Sequence, residues 1–321
     1  MAGGPSTIEL AVAVSEAGGL GFVAAGYRSA DALRDDIRAF RERTSTPFGV
    51  NLFVPRRDPV DEGAIADYVS RLGAEGEPGE PRWDDDQFDA KVGVLAEERV
   101  PVVSFTFALP PAAAVETLRA AGSELWATVT ELSEARAAVA LGVDALALQG
   151  VEAGGHRASF SDGGEGDGLS VLALLRLVAA EVSLPLVAAG GITDGPAMAA
   201  MLAAGAVAVQ LGSAFMLAPE AGTQPAHREA LAREGATALT RAFSGRQARG
   251  IVNRFMREHG AAAPTGYPQI HHVTSPLRAK ARERGDAGGF NLWAGQTHEL
   301  ARAEPAGEIV RRVSADAASA L

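Results

Sequence analysis

Seven short apolar runs punctuate the first two thirds of this chain, and helical patterns stand between them. The runs are GFVAA (21–25), FGVNLFV (48–54), VVSFTFA (102–108), LWATV (125–129), ALALQ (145–149), LPLVAA (184–189) and AVAVQL (206–211). Runs without polar alternation suit strands covered on both faces, as in a parallel sheet flanked by helices. The stretches between them carry helix signals. In SADALRDDIRAFRER (29–43), Ser29 or Asp31 stands where a cap belongs. SEARAAVALG (133–142) is expected to start on its serine and to stop at Gly142. DGPAMAAMLAAG (194–205) offers Asp194 as cap and Pro196 in the first turn. Such βα units close into a (β/α)8 TIM-type barrel or open into a doubly wound sheet. The glycines of AGGLGFVAAG precede a strand instead of joining strand to helix. The dinucleotide fingerprint is therefore missing, and the barrel is the preferred architecture.

A closed barrel needs eight strands, and seven runs are counted. STIELAVAVSEAG (6–18) reads as a helix with only MAGGP in front of it. The barrel is therefore expected to lack its first strand. Two regions break the repeat. Residues 73–87, GAEGEPGEPRWDDDQ, read as an exposed loop. Residues 236–321 run past the last strand and are expected to form a helical C-terminal extension packed on a barrel of residues 1–235.

Composition narrows the function. With 47% hydrophobic residues among 321, a large core can be buried. A net charge of -11 argues against nucleic acid or an anionic membrane surface as partner. There is no cysteine, so thiolate nucleophiles and thiolate metal sites are excluded. The six histidines show no HExxH or similar pairing, and no metal site is expected. No apolar run reaches membrane-spanning length. MAGGPSTIEL lacks a basic region followed by an apolar one, so a cytoplasmic protein is expected.

Barrel enzymes carry their chemistry at the C-terminal ends of the strands. Asn51 lies within the second run, and the later ends hold Gln149, Glu152, Gly154, Gly155 and His156, then Gly190, Gly191 and Asp194, then Gln210, Gly212 and Ser213. The glycine loops AAGGITDG and QLGSAF follow consecutive strands. One such loop alone makes a tight turn. Two side by side point to a phosphate held by backbone N–H groups. His156 follows two glycines beside that region and suits proton transfer near neutral pH. Glu152 could orient it or cap a turn. Gln149 needs hydrogen-bond partners, from a flavin edge or from nearby backbone. Adjacent residues rarely chelate one metal, so His271 and His272 read as structural. Trp293, Tyr267 and Phe290 read as packing, although one of them could wall a pocket.

The blocks AGGPST, GGLGFVAAGY, PFGVNLF, LQGVEAGGHR, AAGGITDG and QLGSAF, in this order, resemble the nitronate monooxygenase family, formerly called 2-nitropropane dioxygenases. FSGRQARG, YPQIHH and NLWAGQ extend the likeness into the tail. The resemblance implies an FMN-dependent barrel that oxidises alkyl nitronates with O2 to a carbonyl compound and nitrite, with detoxification as its natural role. It implies that His156 is catalytic, as base toward a nitroalkane or as partner of the nitronate's nitro group. The family's FMN contacts fall on Asn51, Gln149, Gly154, Gly191, Gln210, Leu211, Gly212 and Ser213, with Ser244 near the flavin. Family members usually open with an apolar strand leading into APMAGGPS, and this sequence starts at the methionine of that block. The partners expected are a small nitronate and O2, with association into homo-oligomers left open. Two other readings share the motifs: an FMN-dependent NAD(P)H enoyl-thioester reductase, and a flavin-binding barrel without turnover.

Overall fold

In the computed structural model, which describes residues 1–162 and 168–321, all seven apolar runs form strands of one sheet. In chain order the strands are β1 (Gly21–Ala24), β2 (Phe48–Phe53), β3 (Val102–Thr106), β4 (Glu124–Val129), β5 (Ala145–Gln149), a separate two-residue β6 (Gly155–His156), β7 (Leu186–Ala189) and β8 (Ala208–Gln210). The order across the sheet is β1-β2-β3-β4-β5-β7-β8, and every pair is parallel. Helices alternate with the strands: α1 (Ile8–Glu16), α2 (Ala30–Arg43), α3 (Glu62–Leu72), α4 (Phe88–Glu97), α5 (Ala112–Ala120), α6 (Leu132–Leu141), α7 (Val171–Ala179) and α8 (Gly195–Ala203). The result is a curled half-barrel of the TIM type. Among the described residues its outer strands are β1 and β8. Register places Gln149 beside Ala189 and Ala189 beside Gln210, so three strands end in one row. Asn51 lies beside Ser104 in the other half of the sheet.

The core follows from the apolar runs. Phe40, Leu33 and Ile37 of α2 pack with Val50 and Leu52 of β2 and Phe105 of β3. Leu146 and Leu148 of β5 pack with Leu174, Leu175 and Val178 of α7. The caps confirm some expectations and correct others. Ser29 Oγ accepts from Ala32 N–H at 3.1 Å, so Ser29 and not Asp31 caps α2. Asp194 caps α8, accepting from Ala197 N–H at 3.0 Å. Gly142 ends α6 with φ +85°. Ser133 does not start α6, which begins one residue earlier behind Glu131. The Glu134 carboxylate takes up the freed backbone instead, accepting from Thr130 N–H at 2.6 Å. The third run was expected to continue to Ala108, yet β3 stops at Thr106 because Phe107 turns to φ +82°.

After β8 comes α9 (Pro225–Leu231), and the tail holds α10 (Arg254–His259), α11 (Gln269–Glu283) and α12 (Ala306–Ala320). It also holds two strands, β9 (Thr237–Thr240) and β10 (Ala248–Ile251). β10 pairs antiparallel with β9 and with β6, which ties the tail to the turn after β5. α12 buries Ile309, Val313 and Ala317 where it lies along α8 and α1. The segment 73–87 is more anchored than an exposed loop. Gly79 N–H donates to Val273 C=O at 2.8 Å, and Trp83 Nε1–H to Arg56 C=O at 2.9 Å. Asp84 bonds to His272, and Asp86 meets the buried Lys91.

Candidate functional site

The row of strand ends on β5, β7 and β8 opens into the turn EAGGH, and tertiary contacts fix that turn. Gln149 Nε2–H donates to His156 C=O at 3.0 Å, and its Oε1 accepts from Ala158 N–H at 2.9 Å. Neighbouring backbone thus supplies the partners this side chain needs. The Glu152 carboxylate accepts from Val171 N–H at 3.0 Å, which makes it a cap for the start of α7. Gly154 packs against the tail: a Cβ there would lie 2.5 Å from the Ala294 carbonyl carbon and from Gly295 N. Gly191 has φ +66°, and a Cβ on it would come within 2.9 Å of Glu152. Ser213 Oγ accepts from Gly295 N–H at 2.9 Å, so the loop after β8 reaches the same tail segment. Gln149, Gly154, His156, Gly191 and Ser213 are therefore brought to one end of the sheet. Gln210 is exposed at the edge strand, followed by half-buried Leu211 and Gly212. Asn51 stands apart from this group and donates to Ser104 Oγ at 2.8 Å and Thr106 Oγ1 at 2.9 Å.

His156 is enclosed by rings. Trp293 lies 5.5 Å away, Tyr267 5.7 Å and Phe107 5.9 Å, centroid to centroid. His156 Nε2 is 2.8 Å from Ser244 Oγ, which also lies 3.2 Å from the Arg246 carbonyl. Burial, then the guanidinium groups of Arg246 and Arg278, lower the His156 pKa to about 3. The ring is neutral at pH 7. Arg246 donates to the carbonyls of Arg157 and Ser159. Arg278 bonds to His271, Thr274, Ser275 and Asn291, none of them a carboxylate.

Of the residues read as structural, His271 stacks on Tyr27 at 4.4 Å and His272 bonds to Asp84. Phe290 is core. Tyr267 and Trp293, read mainly as packing, flank His156 directly. Phe107 and Arg246 carried no signal of their own, although Ser244, two residues before Arg246 in FSGR, did. Among the described residues, one set of three acidic and histidine side chains lies within ligand distance of one another: Glu75, Glu258 and His259. Arg254 fills it, donating to Glu75 at 2.5 and 2.8 Å and to Glu258 at 2.7 Å.

Three histidines with depressed pKa values, His227 buried and His156 and His271 half-buried, make acid stability a direct test of this environment. Burial is the first cause in each case and lowers His156 to about 3, His227 to about 4 and His271 to about 2. All three lie below the unfolded value of about 6.5, so the unfolded chain binds more protons as pH falls through that value. The stability they contribute is complete above about pH 6.5 and is lost progressively below it, each costing roughly 2 kcal/mol at pH 5. Between pH 7 and pH 5 the thermal midpoint is expected to fall by roughly 10 °C. An unchanged midpoint would mean that these rings are not held neutral.

The profile of the nitronate monooxygenase family matches residues 1–316. A nitronate monooxygenase of Pseudomonas aeruginosa is 43% identical over 96% of this chain and 92% of its own length. One from Paraburkholderia phytofirmans is 40% identical over 97% of this chain and 88% of its own. Among solved structures, a nitroalkane oxidase from Streptomyces ansochromogenes superposes with a TM-score of 0.97 at 48% identity, covering 100% of this chain and 94% of that one. FabK from Thermotoga maritima gives 0.79 at 30% identity, covering 99% and 91%. With the strand ends, the turn and the tail all matched in one span, the chain belongs to the nitronate monooxygenase family and is an oxidoreductase.

Proposed function

We propose that this protein oxidises alkyl nitronates with O2 and bound FMN, yielding a carbonyl compound and nitrite. The observation that carries the reading is the enclosure of neutral His156 between Ser244 and three aromatic rings, beside the glycine loops of β7 and β8. The loops fit a phosphate. The backbone N–H groups of Gly191 and Gly212 donate to no protein acceptor among the described residues. The start of α8 is closed by Asp194, so loop amides rather than the helix end would hold the phosphate. Gly191, Gly212 and Ser213 are the residues proposed to do so, with Gln149, Gly154, Gln210, Leu211 and Asn51 along the rest of the flavin. When bound, FMN supplies the electron-accepting and O2-reacting chemistry.

The chain's own residues would then select and place the substrate. Arg246 and Arg278 favour an anion at this end of the sheet, and a nitronate is an anion. A histidine whose pKa is about 3 is a poor base toward a neutral nitroalkane. Its neutral ring suits the other role. With the proton on Nδ1, Nε2 accepts from Ser244 O–H in place of the Arg246 carbonyl, and Nδ1–H is left to donate to a nitro-group oxygen. The rings of Phe107, Tyr267 and Trp293 keep water from that bond. On the same reading, residues 236–321 complete the site of the 1–235 barrel, because Ser244, Arg246, Tyr267 and Trp293 all come from them.

The visible spectrum of the purified protein, repeated on the supernatant after heating, tests the cofactor. About one FMN released per chain is the expected result. Anaerobic mixing with NAD(P)H and with a nitronate then separates the readings. Flavin bleached by the nitronate but not by NAD(P)H supports nitronate oxidation. Rapid bleaching by NAD(P)H would replace it with the enoyl-reductase reading. A protein that takes up no added FMN would remove both.

A further inference from the structure

Phe107 holds a backbone that a bulky side chain rarely adopts, with φ +82° directly after β3. A residue in that region persists only where its surroundings over-determine it, and such residues gather at functional sites. The turn sends the ring across the strand ends, where it is only 3% exposed. Phe53 lies 4.6 Å from it and Tyr267 5.5 Å. His156 stands edge-on at 5.9 Å and 88°, and the Arg246 guanidinium sits 4.2 Å over the ring. Against Phe107 and Tyr267 lies a small open cleft of about 40 Å³, whose walls include Phe53, Arg56, Asp84, Phe107, Arg246 and Tyr267. His156 does not line this cleft. Phe107 and Tyr267 both line it and touch His156, so they form the partition between the two.

We propose that Phe107 is the specificity-determining residue of this site: its ring is the wall that limits the carbon chain a substrate can carry from the cleft to His156. The inference rests on the nitronate reading. On this reading a short alkyl nitronate stays on the His156 side of the partition. A long one must push its chain through the space the ring fills. Arg246 fixes the wall by lying on the ring face while offering positive charge to the cleft.

The test compares kcat/KM for the nitronates of nitroethane and 1-nitrohexane in the FMN-loaded protein. Phe107→Gly suits the positive φ and is the variant expected to fold, and Phe107→Leu keeps apolar bulk. In Phe107→Gly the hexane-to-ethane ratio is expected to rise about tenfold or more, and in Phe107→Leu by less. An unchanged ratio in Phe107→Gly, with wild type active, overturns the inference and leaves the nitronate reading standing. If wild type consumes neither nitronate, that reading fails, and a crystal structure of Phe107→Gly decides the wall. A cleft running through to His156 supports it. A partition still closed by Tyr267 and Phe53 overturns it.

Discussion

His156→Ala is expected to cut nitronate turnover by about 10²–10³-fold while leaving the fold and the FMN content unchanged. That magnitude is typical for the loss of one donor aimed at a developing or bound oxyanion. The fold should survive because the ring makes one side-chain hydrogen bond, to Ser244, and its removal leaves a hydroxyl that still reaches the Arg246 carbonyl. His156→Asn, which keeps an N–H, should recover part of the loss. The pH profile offers a second reading of the same residue. With a pKa near 3, His156 should give kcat no inflection near pH 6.5. An inflection there in wild type, absent from His156→Ala, would show a ring that exchanges protons in the working range. Full activity in His156→Ala would remove the residue from the chemistry.

Lys91→Ala should be the most damaging single change outside the site, at about 3–5 kcal/mol of stability. Lys91 is fully buried, with Nζ 2.7 Å from Asp86 Oδ2 and 2.9 Å from the Ala25 carbonyl. Burial lowers the lysine and raises the aspartate, and the opposite charge of each partner works against that burial. Removing the ammonium alone leaves a half-buried carboxylate without its cation. It also loosens a strained corner. Asp86 Oδ1 accepts from Tyr27 N–H at 3.0 Å, and Tyr27, Asp86 and Gln87 all have positive φ, at 66°, 52° and 54°. The paired replacement Lys91→Met with Asp86→Asn should recover most of the stability, because neither charge is then stranded. Urea denaturation of the three proteins decides the matter. A loss below about 1 kcal/mol in Lys91→Ala would mean that water already reaches the pair.

The strands were legible because a parallel sheet buries both faces, and runs such as ALALQ carry that demand in their own composition. Caps were legible where a side chain meets only its own helix, as at Asp194 and Gly142. They were misread where two candidates compete within a turn. Ser133 lost to Glu134, whose longer side chain reaches back to Thr130. His156 stood out because two glycines precede it. Its surroundings did not, because Ser244 lies 88 residues further on and Tyr267 and Trp293 further still. No local pattern distinguishes a tail aromatic that packs from one that faces a ligand. Phe107 is the plainest case: nothing in TFALPP announces a left-handed phenylalanine, and only the rings and the guanidinium around it account for the conformation.

The clasp between the EAGGH turn and the tail also bears on how the protein is made. Gly154 lies against Ala294 and Gly295, and β6 is paired by β10. A chain emerging from the ribosome exposes all seven strands of the large sheet before either of those tail segments exists. The half-barrel can begin to collapse early, as parts of long chains do during synthesis, but His156 gains its hydroxyl partner Ser244 and the rings of Tyr267 and Trp293 only when the last quarter has been released. A chain stopped before residue 293 would carry all seven strands of the large sheet without the Trp293 ring beside His156.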